Sequence, residues 1–251
     1  MGGKRFAVLL CAEDSEYVTK KYGGYFGVFV NLLGEKNING GEENKEIWNL
    51  YRVVRGEFPE EDDIDLYDGF VISGSCNDAH GNDVWILKLL NLLKKLDSLK
   101  KKILGICFGH QILCRALGGK TGRAASGWDL GMTTIRVSPI SSTSIEIPSK
   151  LAVIECHRDE VIELPPSAKV IGSSDKTKVE MYTCGNHILG LQGHPEYTKD
   201  ILHSLLDRLL ERKFIKECQA ELARASIEAS EPDREAWKRI CRGFLKGELV
   251  L

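Results

Sequence analysis

The sequence predicts an α/β fold: a central, mostly parallel sheet flanked by helices, with an antiparallel extension. Three observations predict it. Short apolar runs alternate with helical segments up to Leu117, and such alternation implies a parallel sheet covered on both faces. Between Gly118 and Leu191 the pattern changes to short β-like runs joined by Ser-, Pro- and Gly-rich turns, which reads as antiparallel hairpins extending the sheet. From Lys199 onward the chain is helical in composition.

Each element has its own signal. Arg5 to Cys11 is a short apolar run ending in polar residues, the signature of a buried strand. Asp14 to Gly34 is a helix that starts after an Asp/Ser cap and is interrupted at Gly23-Gly24. Residues 35–46 are a polar loop and Ile47 to Val54 a second strand. Asp68 to Ser75 is a third strand, ending in a glycine turn. Asn82 to Leu99 is an amphipathic helix whose apolar face is expected from Val84, Ile86, Leu87, Leu89, Leu90, Leu92, Leu93 and Leu96. Lys102 to Ile106 is a fourth strand, and the helix Phe108 to Leu117 follows at once. The middle region supplies runs at Met132–Val137, Leu151–Cys156, Val170–Ser173, Val179–Thr183 and His187–Leu191, with Ser138 to Lys150 the most loop-like stretch. The C-terminal helices span Lys199 to Ala229 and, after a break near Pro232, Asp233 to Lys246. The expectation is one domain over residues 1–251, with a core of about 5–210 and a helical extension of about 211–251.

Composition narrows the function. The 34 Lys+Arg against 36 Asp+Glu give a net charge of −2, which offers no electrostatic reason to bind nucleic acid or an anionic membrane. No apolar run approaches the ~20 residues of a membrane span. The N-terminus runs straight into a strand-like segment without the layout of a signal peptide, and Phe6 stands where a myristoylation motif wants Ser or Thr. A cytoplasmic location, in the cytosol, is expected. Eight cysteines show no Cys-x-x-Cys pair and no zinc spacing; Cys11 and Cys184 sit in or beside apolar stretches, and every cysteine except Cys107 and Cys76, Cys218 included, reads as a small core hydrophobe. No metal and no organic cofactor is implied.

Two stretches carry chemistry. Gly105-Ile-Cys107-Phe-Gly109 sits where a strand ends and a helix begins, the setting of a nucleophile elbow. Its glycines permit a tight turn, and the helix N-terminus beneath the sulfur favours a thiolate. Far along the chain, Gln192-Gly-His194-Pro-Glu196 follows an apolar strand. In an extended segment residues i and i+2 project to the same side, so Glu196 is placed to hold one imidazole nitrogen of His194 and leave the other for sulfur. Nucleophile, base and orienting carboxylate are the minimal set for amide cleavage through an acyl-enzyme.

Four motifs in order carry a family resemblance: Gly105-Ile-Cys-Phe-Gly-His-Gln111, Gly118-Gly-Lys120, Cys156-His-x-Asp159 and His194-Pro-Glu196. Over roughly residues 5–210 the chain resembles class I glutamine amidotransferase domains, which implies a flavodoxin-like fold. It is similar in particular to the plant γ-glutamyl peptidases, through Tyr22-Gly-Gly-Tyr-Phe26, Asp68 to Ser75, Cys156-His-x-Asp-Glu160 and Phe244-Leu-Lys-Gly247. The resemblance implies a triad of Cys107, His194 and Glu196, an oxyanion hole from the backbone N–H groups of Gly74 and Phe108, and a glutamyl pocket near Gln111 and His157. It also implies a cysteine-dependent hydrolase that removes the γ-glutamyl unit from a small-molecule substrate, glutathione or a glutathione conjugate, in defence sulfur metabolism including glucosinolate synthesis. Two other readings stay open: a glutaminase subunit supplying ammonia to a separate synthase, and a non-catalytic binding module. The chain departs from many amidotransferases in reading Gly74-Ser75-Cys76 where they continue Gly-Pro, which places a second thiol near the site. Lys120, Arg123, Arg158 and the Trp128-Asp129 pair are candidates for contacting substrate, or else surface residues. Oligomeric state is not visible in the sequence.

Overall fold

The structure, a computed structural model, describes residues 3–35, 46–139 and 145–251. Four parallel contacts build one half of its main sheet. β1 (Arg5–Leu9) lies between β2 (Ile47–Tyr51) and β3 (Gly69–Ile72), and β3 pairs with β4 (Lys102–Ile106). β4 then pairs, still parallel, with β11 (Ile188–Leu191) from much later in the chain. Beyond β11 every contact is antiparallel, through β10 (Met181–Cys184), β9 (Ala168–Ser173), β6 (Asp129–Val137) and β7 (Lys150–His157). This is the expected parallel sheet with its antiparallel extension. Outside it, β5 (Lys120–Arg123) and β8 (Asp159–Glu163) pair as a separate ribbon. Sequence reading missed this ribbon because Lys-Thr-Gly-Arg and Asp-Glu-Val-Ile-Glu contain too few apolar residues to show a period.

The period-2 alternation of β1 divides the core. Phe6, Val8 and Leu10 point to one face of the sheet, and Ala7 and Leu9 to the other. Over the second face lie α3 (Val84–Ser98) and α4 (Phe108–Ala116). In α3 the buried stripe is Ile86, Leu89, Leu90, Leu93 and Leu96. Val84 and Leu87, expected on that face, are exposed, because the seam they would occupy lies a third of a turn or more from the line joining the other five. Over the first face lie α1 (Glu16–Tyr22), α2 (Tyr25–Leu33), α5 (Lys199–Glu211), α6 (Glu217–Ala229) and α7 (Arg234–Lys246). The expected break at Gly23-Gly24 is present: Gly23 has φ 72° and ends α1, whose N-cap is Ser15. The single helix expected over Lys199–Ala229 is two helices, because Lys213 takes φ 57° and turns the chain between α5 and α6. The predicted 35–46 loop falls, apart from its end residues, outside the described residues, as do residues 140–144 of the predicted Ser138–Lys150 loop.

The C-terminal helices join the same core as the sheet. Trp237, Ile240 and Phe244 of α7 are buried in one cluster with Phe6 and Leu104. The start of α7 is fastened to β7: Trp237 Nε1 donates to the carbonyl of Ala152 at 2.9 Å, and the Ala152 N–H donates to Asp233 at 2.7 Å. None of the described helices is long and apolar enough to cross a membrane.

One close approach sets where the α4 helix begins. A Cβ on Gly109 would lie 2.3 Å from the carbonyl oxygen of Ile72, and one on Gly105 would lie 2.6 Å from the Gly109 carbonyl. Strand β3, strand β4 and the first turn of α4 therefore touch backbone to backbone. Replacing Gly109 by Ala is expected to destabilise the fold by about 1–3 kcal/mol or more, the range for forced overpacking. Urea unfolding of the variant against wild type measures this; an unchanged midpoint would mean that the contact is not tight.

Candidate active site

Cys107 occupies the step between β4 and α4 in a backbone conformation that side chains rarely adopt, φ 53° and ψ −104°. Such a conformation costs on the order of 1–3 kcal/mol and persists only when its surroundings enforce it. Here the enforcement is visible: the Cys107 N–H donates to Leu191 at the end of β11 (2.8 Å), and the Cys107 carbonyl accepts from Gln111 in the first turn of α4 (3.0 Å). The sulfur is thus held at the carboxyl end of the parallel strands, over a helix N-terminus. Burial pushes the thiol up, and His194 pulls it in the opposite direction.

His194 leaves the end of β11 with its N–H donating to the Ile154 carbonyl of β7 (2.8 Å). Its Nδ1 lies 2.8 Å from Oε1 of Glu196, so the i, i+2 pairing expected from the sequence is present. Both residues are buried. Burial alone would disfavour a charged ring, but the Glu196 carboxylate and the Cys107 sulfur outweigh it and push His194 up to about 10. The Tyr197 ring lies flat against the imidazole, centroids 3.9 Å apart and planes 6° apart.

Gly74 completes the cluster. A Cβ there would sit 2.9 Å from Cε1 of His194 and 3.6 Å from Cβ of Cys107, so any side chain would intrude between base and nucleophile. The loop that carries it is pinned to the end of β1, with the Cys11 N–H donating to Ser73 Oγ (2.9 Å) and Ser75 Oγ donating to the Cys11 carbonyl (2.6 Å). The N–H groups of Gly74 and of Phe108 have no acceptor among the described residues. Two free donors beside a nucleophile can receive an oxyanion.

These residues open into a cleft of about 220 Å³. It lies beyond the carboxyl ends of the parallel strands, where β1 has one neighbour on each side, the usual place for a ligand in such sheets. Gln111 and His157 line it but are also committed inward. The Gln111 amide donates to the Asp159 carbonyl (2.8 Å) and to Gln192 (3.1 Å). His157 has Nδ1 2.9 Å from the Asp159 carbonyl and Nε2 3.4 Å from Glu155, and burial pushes it down to about 4. Arg123, Arg158 and Trp128 border the cleft, with the Arg158 guanidinium 5.5 Å from the Trp128 ring centre. Lys120 and Asp129 do not border it. Lys120 pairs with Glu163 across the β5–β8 ribbon, and Asp129 is buried behind the site near His157 and Lys176. Cys76 is exposed at the rim with a free thiol, and Cys218, expected in the core, is exposed on α6.

Three features were missed by sequence reading. Arg208 on α5 and Arg212, the residue that caps its C-terminus, line the cleft and, like Arg158, form no ion pair among the described residues. The helical face they share, at spacing i, i+4, was the available signal. Tyr197 follows the His-Pro-Glu triplet directly, and nothing in its spacing marks it as a stacking partner. Behind Gly193 lies a buried acidic group: Glu155, kept well above the carboxylate range by burial and by Glu180, and Glu180, pushed up to about 7 mainly by burial. Asp78, His80 and Asp159 also converge, but the Arg123 guanidinium already bridges both carboxylates and takes the place a cation would fill.

Comparison with known proteins agrees with the geometry. The sequence profile of the "Glutamine amidotransferase class-I" family matches residues 49–216. The chain is 53% identical over 249 residues to "Gamma-glutamyl peptidase 5" of Arabidopsis thaliana, covering 97% of this chain and 96% of that one. It is 48% identical over 250 residues to "Gamma-glutamyl peptidase 3" of the same plant, covering 97% of each. The crystal structure of a glutamine amidotransferase from Thermotoga maritima superposes with a TM-score of 0.75 at 21% identity, covering 99% of both chains, a likeness of fold. The chain belongs to the glutamine amidotransferase class-I family and is similar, over nearly its whole length, to its γ-glutamyl peptidases.

Proposed function

We propose that this protein is a cysteine-dependent hydrolase of γ-glutamyl amide bonds, acting on glutathione or its S-conjugates. The observation that carries the chemistry is the pairing of a buried His194–Glu196 couple, 2.8 Å apart, with a cysteine at a strained strand–helix step. The bond class comes from the near full-length similarity to the γ-glutamyl peptidases. The cleft suits such a substrate: Arg158, Arg208 and Arg212, which form no ion pair among the described residues, offer guanidinium groups to a peptide that carries free carboxylates. The cytosol and the sulfur-containing defence metabolism of plants, glucosinolate synthesis included, are the proposed setting.

The reaction runs in two halves. With the proton on His194 and the charge on sulfur, Cys107 attacks the γ-carbonyl carbon of the glutamyl unit. The carbonyl oxygen gains the negative charge and is received by the N–H groups of Gly74 and Phe108. His194 gives its proton to the amine nitrogen, the C–N bond breaks, and the cysteinyl peptide departs with a thioester left on Cys107. Water enters, His194 removes a proton from it, and the resulting hydroxide displaces the sulfur. Glutamate leaves, and the proton is back on His194 beside the thiolate. Glu196 holds the ring in one tautomer throughout. A glutaminase follows the same course with ammonia as the leaving group.

The decisive assay gives wild type and Cys107→Ala a glutathione S-conjugate and free glutamine in parallel, with products followed by mass spectrometry. Glutamate and the residual dipeptide are expected from the conjugate, with turnover in the variant down by about 10³-fold or more. Ammonia from glutamine with the conjugate untouched would instead establish a glutaminase.

A second prediction concerns charge. Glu196→Gln removes one of the two groups that hold His194 up at about 10, so the ring should titrate closer to its ordinary value of 6.5, and kcat should fall roughly 10²–10⁴-fold. Because the folded value is raised, His194 contributes stability that is complete below about pH 6.5 and is lost as pH climbs through about 10. Wild type should therefore lose more stability over this interval than Glu196→Gln. Imidazole NMR titration and urea unfolding at several pH values check both statements.

A further inference from the structure

The base is gripped from a direction that neither the nucleophile nor the acid provides. Tyr197, buried, presents its ring face to His194 at 3.9 Å and 6°. Arg234, at the first position of α7, donates Nη1 to the carbonyl of Glu196 (3.2 Å) and to that of Tyr197 (3.1 Å). One guanidinium nitrogen thus spans the peptide that joins the acid to the stacking ring. Arg234 forms no ion pair with a carboxylate among the described residues.

The grip is referenced to the same strand as the base. Ile154 of β7 accepts the His194 N–H at 2.8 Å. Two residues earlier, Ala152 receives Trp237 Nε1 at 2.9 Å, accepts the Asp233 N–H at 3.0 Å, and donates its own N–H to the Asp233 carboxylate at 2.7 Å. The Tyr197 N–H closes the segment by donating to the His194 carbonyl at 3.2 Å. The two ends of the four-residue segment 194–197 are therefore fixed against neighbouring positions of β7, one directly and the other through the start of α7. A protonated ring is attracted to an aromatic face. A flat stack also blocks rotation of the imidazole about its bond to Cβ, a torsion that is otherwise broad.

We propose that Tyr197 and Arg234 are positioning residues of the active site: Tyr197 fixes the plane of the His194 ring and favours its protonated form, and Arg234 holds Glu196 and Tyr197 in register with it. The proposal rests on the reading of Cys107 as nucleophile and His194 as its base. Besides those two, Glu196 and Tyr197, the titratable groups that bear on this cluster are Tyr25, Glu155, Cys156, His157, Arg208 and Cys241, and the variants below leave all six in place.

The test reads the sulfur rather than turnover. Alkylation of Cys107 by iodoacetamide is followed by peptide mass spectrometry between pH 5.5 and about 9, where a free thiol begins to ionise on its own. The exposed Cys76 and Cys218 of the same molecule serve as references. Tyr197→Phe keeps the ring and should match wild type. Tyr197→Leu and Arg234→Ala should slow Cys107 alkylation about tenfold or more near pH 6, with a deficit that narrows as pH rises and with the references unchanged. Arg234→Lys should recover part of the loss. Folded Tyr197→Leu and Arg234→Ala proteins with the wild-type pH profile at Cys107 would overturn the proposal. Should Arg234→Ala fail to fold, Tyr197→Leu and Arg234→Lys decide it. His194→Ala separates this outcome from failure of the underlying reading: if removing the base leaves the Cys107 profile unchanged, the nucleophile–base assignment is what falls.

Discussion

The active region depends on one backbone constraint, the contact of the β4–α4 step with the end of β3. Gly105 and Gly109 bring three main-chain segments to within van der Waals distance, with no room for a methyl group between them. The helix is then forced to start where the strand stops. Cys107, the residue left at the junction, has no alternative to a positive φ. The hydrogen bonds to Leu191 and from Gln111 secure that strained residue at both ends. On its other edge β4 pairs with β11, which brings up the segment bearing His194. The spacing of nucleophile and base is therefore a property of the sheet, fixed before any side-chain interaction between them.

Electrostatics work against burial throughout the site. A buried thiol and a buried imidazole each resist charge when taken separately. Together with Glu196 they reverse that preference at His194, because the Glu196 carboxylate and the Cys107 sulfur both favour the charged ring. His157, at the end of β7 and equally buried, has Glu155 at 3.4 Å and Asp129 at 4.0 Å from its Nε2, yet burial prevails there and pushes it down to about 4. Two histidines in nearly the same low-dielectric surroundings thus differ widely in proton affinity, and only the one flanked by sulfur and carboxylate is suited to carry a proton at neutral pH.

Much of this was legible in the sequence where a local rule applies. The Gly-x-Cys-x-Gly step and the His-x-Glu pairing are short-range geometry, and all three side chains line one cleft. The parallel half of the sheet was legible from apolar runs, because strands buried on both faces carry no polar positions. What could not be read has a common cause: it depends on contacts between distant segments. Lys120 resembles a substrate-facing cation until β8 is folded against β5 and supplies Glu163. Asp129, next to a cleft-lining tryptophan, alternates inward because β6 is a strand at that point. Tyr197 reads as an ordinary aromatic until its ring is seen on His194, and Arg234 lies 38 residues beyond the carbonyl that it binds.

That separation along the chain has a consequence for how the protein acquires its site during synthesis. Domains grow from the N-terminus. The sulfur, the imidazole and the carboxylate all leave the ribosome before the helix whose first residue ties down Glu196 and Tyr197. A nascent chain passes through an interval in which the reactive thiol is already made but the backbone beside its partner is not yet tied to the last helix. During that interval Cys107, buried in the complete fold, has only the segments already made to shield it from adventitious oxidants.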